Sequence, residues 1–345
     1  PLGDAAAIDN GPIPCRILGA PSTGESVEAA AAPAVVASRD EGVFAARLRK
    51  NLRRLVPWSK RFGVECYRVY DQEIPGYHAI VDRYGAHVHL QEYQAPRHID
   101  PGLAAERMRI MVEGIVAELE VARERVHVKR RRPQGGGAQY GRFDHRGEEL
   151  CVQESGASFL VNLTDFLDTG LFIDHRALRR MVAQLAPGKR VLNLFGYTGA
   201  ISVVAAKAGG VTTTVDLSRT YLDWAERNFA ANAIDVRKHG FVRLDARVWL
   251  EQTRERYDLV VCDPPSYSTS KAMDGTLEIQ RDHAQLVRAC IARLAPGGVV
   301  LFSTNKRGFV LDAEALPGMV DITADTLDPD VRRDPPPHRC WRYTA

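Results

Sequence analysis

Cysteine is sparse and unpatterned. Cys15, Cys66, Cys151, Cys262, Cys290 and Cys340 are scattered over 345 residues without a Cys-x-x-Cys pair, which argues against a zinc site and a disulfide framework and leads us to expect a reducing, cytoplasmic setting. Long apolar runs are missing too: no stretch approaches the roughly 18 residues that a membrane span needs. The amino terminus has no basic-then-apolar leader pattern, so a soluble, unexported protein is expected. Neither sign of charge dominates, with 46 Lys and Arg against 43 Asp and Glu. Affinity for an anionic partner must therefore come from where the cations sit. The chain begins at Pro1 rather than Met, as expected of a fragment or processed chain.

What is present centres on residues 189–219. An apolar run (Val191, Leu192, Leu194) enters a turn with Gly196 and Gly199, small residues follow from Ala200 to Ala208, and a β-branched run from Val211 to Val215 ends on Asp216. This reads as strand, helix, strand, with the glycine turn and the acid side by side at the carboxyl edge of a parallel sheet. Asp216 is then placed to meet a ribose. The turn Gly-Tyr-Thr-Gly is not the Gly-x-Gly-x-x-Gly of dinucleotide sites, so a pyrophosphate has no obvious cradle. A ligand without phosphates, such as S-adenosylmethionine, fits better. An ordinary βαβ unit with a structural glycine turn is the competing reading.

Residues 1–42, rich in Ala, Pro, Gly and Ser, read as a linker and a remnant of a preceding domain. From Val43 to Arg61, Phe44, Leu48, Leu52 and Leu55 recur at helical spacing among seven cations and no acid, giving a basic amphipathic helix. Three short alternating runs (Val64–Tyr70, Tyr77–Tyr84, Ala86–Tyr93) predict a strand meander. A helix near Leu103–Leu119, a strand over Val126–Arg132 and strands at Glu149–Glu154 and Ser158–Leu163 complete a smaller α+β domain, 43–160. Lys129, Arg130, Arg131 and Arg132 precede a glycine-rich loop holding Tyr140 and Phe143. Cations beside flexible aromatics suit RNA, since they neutralise phosphates and stack on unpaired bases. Arg47, Arg49, Lys50, Arg53, Arg54, Lys129–Arg132 and Tyr140 are the expected RNA contacts, with a merely solvated face as the alternative.

In the second domain, 161–345, Ser218 caps a helix to about Asn232 and a strand near Phe241–Leu244 leads to Asp245. Tyr257–Cys262 is a buried strand ending in Asp263-Pro264-Pro265, Leu277–Leu294 is a helix, and Val299–Thr304 is another strand. The βαβαβαβαβ order predicts an α/β, Rossmann-like open sheet with its crevice at the strand carboxyl ends. Asp245 alone reads as a helix cap. In series with residues 193–199, Asp216 and Asp263 it points to one shared ligand.

The stretches Leu192–Gly199, Thr213–Ser218 and Asp263–Ser268, with Val161–Arg176, Ser218–Asn228, Ile279–His283 and Asn305–Phe309, resemble the class I AdoMet-dependent RNA methyltransferases. Within them, residues 43–345 resemble the guanine-N7 half of the bifunctional bacterial 23S rRNA guanine-N2/guanine-N7 enzymes. The segment Asn10–Ile17 is similar to the last strand of the guanine-N2 half, so a preceding fused methyltransferase domain is expected. The resemblance implies S-adenosyl-L-methionine as cofactor, no metal, 23S rRNA or an assembling large subunit as partner, and no membrane. It further implies that Asn193, Phe195, Tyr197, Thr198 and Gly199 line the methionine end, that Asp216 accepts the ribose hydroxyls, that Ser218 also belongs to the cofactor site, that Asp245 sits at the adenine amine and that Asp263 lies near the sulfonium and target base. Thr169 to Arg176, including Phe172, would fold over the cofactor, with Arg176 on its carboxylate. Asp263, Pro264, Pro265, Tyr267 and Asn305 are the implied catalytic group.

Methyl transfer from a sulfonium needs an in-line nucleophile at about 3 to 3.5 Å and little else. Guanine N7 offers an in-plane lone pair and carries no proton. Cytosine C5 needs a cysteine nucleophile, which related enzymes carry after the fifth strand, where this chain has Phe302-Ser303-Thr304-Asn305-Lys306. Cys262 reads as core. Exocyclic-amine enzymes usually place an aromatic directly after Asp/Asn-Pro-Pro, whereas here Ser266 intervenes before Tyr267. A guanine-N2 or cytosine-C5 enzyme, or a non-catalytic RNA-binding or unwinding factor, are the alternatives.

Overall fold

The computed structural model describes residues 15–17, 39–93, 101–131, 147–166, 168–269 and 275–345. They divide between two compact units, one within 1–154 and 161–169, the other within 155–160 and 170–345. The sequence places a single break near 160; the chain instead interleaves the units over residues 155–169.

The first unit contains β1 (Cys15–Ile17), α1 (Arg39–Phe62), β2 (Cys66–Asp71), β3 (Ala79–Tyr84), β4 (His87–Tyr93), α2 (Pro101–Leu119), β5 (Val126–Arg131) and β6 (Leu150–Glu154). Its sheet runs β1-β5-β4-β3-β2. The meander β2–β4 is antiparallel, and β5 joins β4 in parallel after the α2 crossover. Residues 15–17 are not linker: they pair antiparallel with Lys129–Arg131. Helix α1 begins four residues before the expected Val43. Its periodic Phe44, Leu48 and Leu55 are buried with Tyr70, Val81, Leu90, Met111 and Ile115, so its apolar stripe faces the sheet and α2.

In the second unit, β7 (Ala157–Val161) and α3 (Arg176–Leu185) precede the sheet elements β8 (Arg190–Leu194), α4 (Ala200–Lys207), β9 (Val211–Asp216), α5 (Arg219–Ala231), β10 (Gly240–Arg243), α6 (Ala246–Gln252) and β11 (Tyr257–Cys262). Two short strands, β12 (Tyr267–Ser268) and β13 (Leu277–Glu278), lead to α7 (Ile279–Ile291), β14 (Leu294–Thr304), β15 (Val320–Asp321) and β16 (Arg339–Thr344). Sheet order is β10-β9-β8-β11-β14-β16-β15. The first five strands are parallel and β16 is antiparallel to both its neighbours. No local sequence pattern announces this closing pair. The central strands are apolar at successive positions because both faces are covered. Leu192, Leu194, Val260, Val300 and Phe302 pack on one side, and Val191, Leu259, Val261 and Leu301 on the other. The chain leaves β8 toward β9 and returns through β11 on its opposite flank, so the strand order reverses between β8 and β11, the point where open α/β sheets bind ligands.

Candidate functional site

The ends of β10, β9, β8 and β11 line the carboxyl edge of the sheet beside that switch point. The turn after β8 takes up left-handed backbone at Phe195 (φ 55°), Tyr197 (φ 49°) and Gly199 (φ 72°). Three such residues within five make a tight, costly loop. Gly196 has no room for a side chain, since a Cβ there would stand 2.4 Å from Thr214 Cγ2. The loop is fixed from both sides. Tyr197 N donates to Asp216 Oδ2 at 2.8 Å, and Asn228 Nδ2 donates to the Thr198 carbonyl at 2.8 Å. Thr198 Oγ1 donates to the Gly170 carbonyl at 2.7 Å and Gly170 N donates to the Tyr197 hydroxyl at 3.0 Å. The segment expected to fold over the site is therefore tied to the turn, with the Phe172 ring 5.0 Å from that of Tyr197. Phe172 stays 40% exposed.

Asp216, at the end of β9, receives Tyr197 N on one oxygen and Ser218 N on the other, both at 2.8 Å. Burial pushes its carboxyl up to about 6, against the opposing pull of the Ser218 and Tyr197 amides. Ser218 caps α5, its hydroxyl accepting from Tyr221 N. Asn193 is buried, and its amide donates to Ser202 Oγ at 3.0 Å, which in turn meets Thr214 Oγ1 at 2.7 Å; it braces the turn from beneath. Asp245 caps α6 by accepting from Arg247 N and is also ion-paired to the Arg247 guanidinium at 2.8 Å.

At the end of β11, Asp263 accepts a 2.6 Å hydrogen bond from Ser303 Oγ, and its side chain is 25% exposed. Pro264 is buried, Pro265 less so, and Tyr267 is 53% exposed on β12. Ser266 Oγ donates to Asn305 Oδ1 at 2.8 Å, joining the ends of β11 and β14. Cys262 is wholly buried, and burial followed by the neighbouring Cys290 holds its thiol well above the ordinary range. It is not a nucleophile.

The expectation for Arg176 needs correcting. Its side chain has no exposure and its guanidinium meets Asp328 at 3.1 Å and Asp330 at 2.9 Å, so it is a buried structural ion pair rather than a cofactor-carboxylate contact. Lys129 is likewise no phosphate contact: it is 1% exposed and its ammonium donates to the Phe166 carbonyl. Arg49 is ion-paired with Glu118. Lys50, Arg53 and Arg54 are exposed on α1, with Arg47 intermediate. Only the strand backbone of Arg130 and Arg131 is described, and Arg132 and Tyr140 lie outside the described residues.

Sequence reasoning missed three groups. His175 places Nε2 3.4 Å from Asp263 and Nδ1 3.5 Å from Asp174, and His338 stacks on its ring at 4.4 Å between centroids, 27° from parallel. Asp174, His175 and His338 are close enough to one another to hold an ion. Stacked imidazoles, however, send their in-plane lone pairs along nearly parallel planes that do not converge on one ion, so the arrangement suits a charge network better than a metal centre. His175 lies within the resembling stretch, but its role depends on His338, which sits in a region without helical or strand periodicity.

A turn without the Gly-x-Gly-x-x-Gly of dinucleotide sites, a strand-end carboxylate with its amides already fixed, and an acid beside two prolines at the switch point together fit a nucleoside-bearing ligand. Residues 115–316 match the family model described as S-adenosylmethionine-dependent methyltransferase. The ribosomal RNA large subunit methyltransferase K/L of Stutzerimonas stutzeri is 47% identical, covering 98% of this chain and 49% of the relative. That of Chromohalobacter salexigens is 46% identical, covering 97% and 48%. The chain thus spans about half the length of the curated relatives it matches. In fold, it is similar to SMU.776, solved complexed with SAH (TM-score 0.72, 22% identity, 88% of this chain and 82% of that one). It is also similar to a SAM-dependent methyltransferase from Agrobacterium tumefaciens (TM-score 0.53, 17% identity, 77% and 87%). Family match, sheet order and site chemistry agree, and the chain belongs to the S-adenosylmethionine-dependent methyltransferases.

Proposed function

We propose that this chain methylates N7 of a guanine in 23S ribosomal RNA. The cofactor of its family, S-adenosylmethionine, supplies a methyl group already activated on a sulfonium. Asp216 accepts the ribose hydroxyls. The turn Phe195–Gly199, with Phe172 above it, holds the methionine end, and Asp245 marks the adenine side.

The observation that carries the N7 reading is the setting of Asp263, which faces the His175 ring at 3.4 Å and accepts from Ser303 Oγ at 2.6 Å. Burial alone would raise its carboxyl, but the His175 ring and the Ser303 hydroxyl outweigh burial and hold it below the usual carboxylate range. Such a group is a weak proton acceptor. Methylation at N2 must shed a proton from the amine, whereas methylation at N7 sheds none and leaves a positive charge on the purine. A fixed carboxylate at the target base stabilises that developing charge. The buried Cys262 thiol gives no support to a C5 mechanism. Transfer of tritiated methyl to unmethylated 23S rRNA, followed by nucleoside identification, should yield 7-methylguanosine; N2-methylguanosine or 5-methylcytidine would overturn the reading.

RNA as substrate is supported by the relatives' names and by the exposed cations of α1. Removing one cation that neutralises a phosphate should lower the slope of log affinity against log salt by about 0.7 to 0.9. Replacing Lys50, Arg53 and Arg54 by Ala should therefore weaken rRNA binding and flatten its salt dependence while leaving cofactor affinity unchanged, as read by filter binding and calorimetry. An unaltered salt slope would make this helix face mere solvated surface.

A further inference from the structure

Asp263 is gripped from a direction that the cofactor turn does not account for. Its carboxylate faces the His175 imidazole at 3.4 Å, and the opposite ring nitrogen faces Asp174 at 3.5 Å. Both ring nitrogens are buried and neither makes a hydrogen bond among the described residues, so the two carboxylates act on the ring as nearby charges. Neutral imidazole carries one N–H and one lone pair, so a ring with a carboxylate at each nitrogen suits both neighbours only when doubly protonated. His338 closes the remaining face by stacking, and its own nitrogens meet Thr326 Oγ1 at 3.0 Å and Asp174 Oδ2 at 3.4 Å. Segments far apart in sequence thus converge on one ring, at the edge of the carboxylate that serves the target base in the reading above.

We infer that His175 is a positioning residue: as an imidazolium between Asp174 and Asp263 it orients the Asp263 carboxylate and keeps it ionised for the target guanine. This rests on the reading of Asp263 given above. Burial disfavours the cation, yet Asp263 and then Asp174 outweigh it and the ring is pushed up to about 10. Asp174 is held well below its ordinary value in spite of burial, chiefly by His175. The groups facing the pair are Asp174 beside His175, His338 ahead of β16, and Cys340 on β16, whose thiol burial and Asp263 push upward and keep neutral. The neighbouring Arg176 directs its guanidinium to Asp328 and Asp330. The cluster thus sets two carboxylates at opposite nitrogens of the His175 ring, with His338 also lowering both acids. Withdrawing the cation leaves the Asp263 carboxylate readier to take up a proton, and withdrawing Asp174 lets the ring lose its proton sooner.

Two variants of the full chain give opposite signatures in single-turnover methyl transfer at saturating cofactor. The parent rate should be level from about pH 6 to about pH 9, between the two groups' displaced values. His175→Gln should acquire an acid limb, falling about tenfold per pH unit below the new Asp263 value, and at the alkaline end should recover only to about the reduced level that Asp174→Asn reaches there, since both then hold an ionised Asp263 with no cation to orient it. Asp174→Asn should instead lose rate toward alkaline pH. A purely structural role would lower the rate by one factor at all pH values, and profiles parallel to the parent's would overturn the inference. If His175→Gln does not fold, the alkaline limb of Asp174→Asn still decides. Independently of activity, the nitrogen-15-labelled ring of His175 should show the imidazolium pattern at about pH 8 in the protein alone, and a neutral tautomer there would also overturn it. An N2-methylguanosine product with the opposed limbs intact would sink the N7 reading alone, and 7-methylguanosine without the limbs would sink the positioning role alone.

Discussion

Replacing Arg176 by Met should lower the unfolding free energy by about 3 to 5 kcal/mol, the range for removing one partner of a buried ion pair. The guanidinium has no exposure and joins α3 to the loop holding Asp328 and Asp330. Asp328 keeps its contact to Arg180, while Asp330, whose side chain is also fully buried, loses the Arg176 guanidinium. Adding Asp330→Asn to Arg176→Met should restore part of the stability, because a neutral amide is far cheaper to bury than a carboxylate that has lost its guanidinium. Denaturant unfolding of the two single variants and the double variant gives the coupling directly. A loss under about 1 kcal/mol for Arg176→Met, the size of an exposed pair, would mean that this ion pair is not structural and would return Arg176 to consideration at the cofactor.

Asp216→Ala should weaken S-adenosylmethionine binding at least tenfold, since hydrogen bonds to a charged acceptor contribute about 1.5 to 3 kcal/mol each. Cofactor affinity should also depend on pH. The Asp216 carboxyl is raised from 3.8 to about 6, so the anion proposed to accept the ribose hydroxyls is lost as pH falls through that value. The stability contribution runs the other way. A group whose folded value is raised binds its proton more tightly in the folded chain, so its stabilisation is complete below 3.8 and disappears as pH rises through about 6. Calorimetry of the parent between about pH 5 and about pH 8 should show affinity rising and levelling off, and Asp216→Ala should show a flat profile. Equal affinity in the two proteins on the alkaline plateau would remove Asp216 from the site.

The legible parts of this protein are those in which one local pattern determines one local structure. Strand β8, the glycine turn, α4 and β9 follow from apolar runs and small residues, and the Ser218 cap falls where the sequence puts it. Helix α1 follows from its Phe44, Leu48, Leu55 spacing. The illegible parts depend on partners distant in sequence. Arg176 looks like any surface helix charge until Asp328 and Asp330 are folded against it. The Lys129–Arg132 run looks like a phosphate grip, yet alternation along β5 turns Lys129 inward to the Phe166 carbonyl. A charge run on a strand divides between two faces, while on a helix such as α1 one face can hold it. Strand β16 escapes notice because it mixes Arg, Cys, Trp and Tyr, and the burial of Cys340 and Trp341 comes from pairing with β14 rather than from a periodic pattern of its own, while β15 is only the exposed pair Val320 and Asp321 against β16.

The central claim is that N7 is the atom that accepts the methyl group. Ribosomal RNA transcribed with 7-deazaguanosine in place of guanosine keeps the base-pairing edge and the exocyclic amine but replaces N7 by a C–H, which has no in-plane lone pair. With S-adenosylmethionine and the full chain, transfer to this RNA should vanish while transfer to the unmodified transcript proceeds and binding of the two RNAs is comparable. Undiminished methyl transfer to the 7-deazaguanosine RNA would contradict the account.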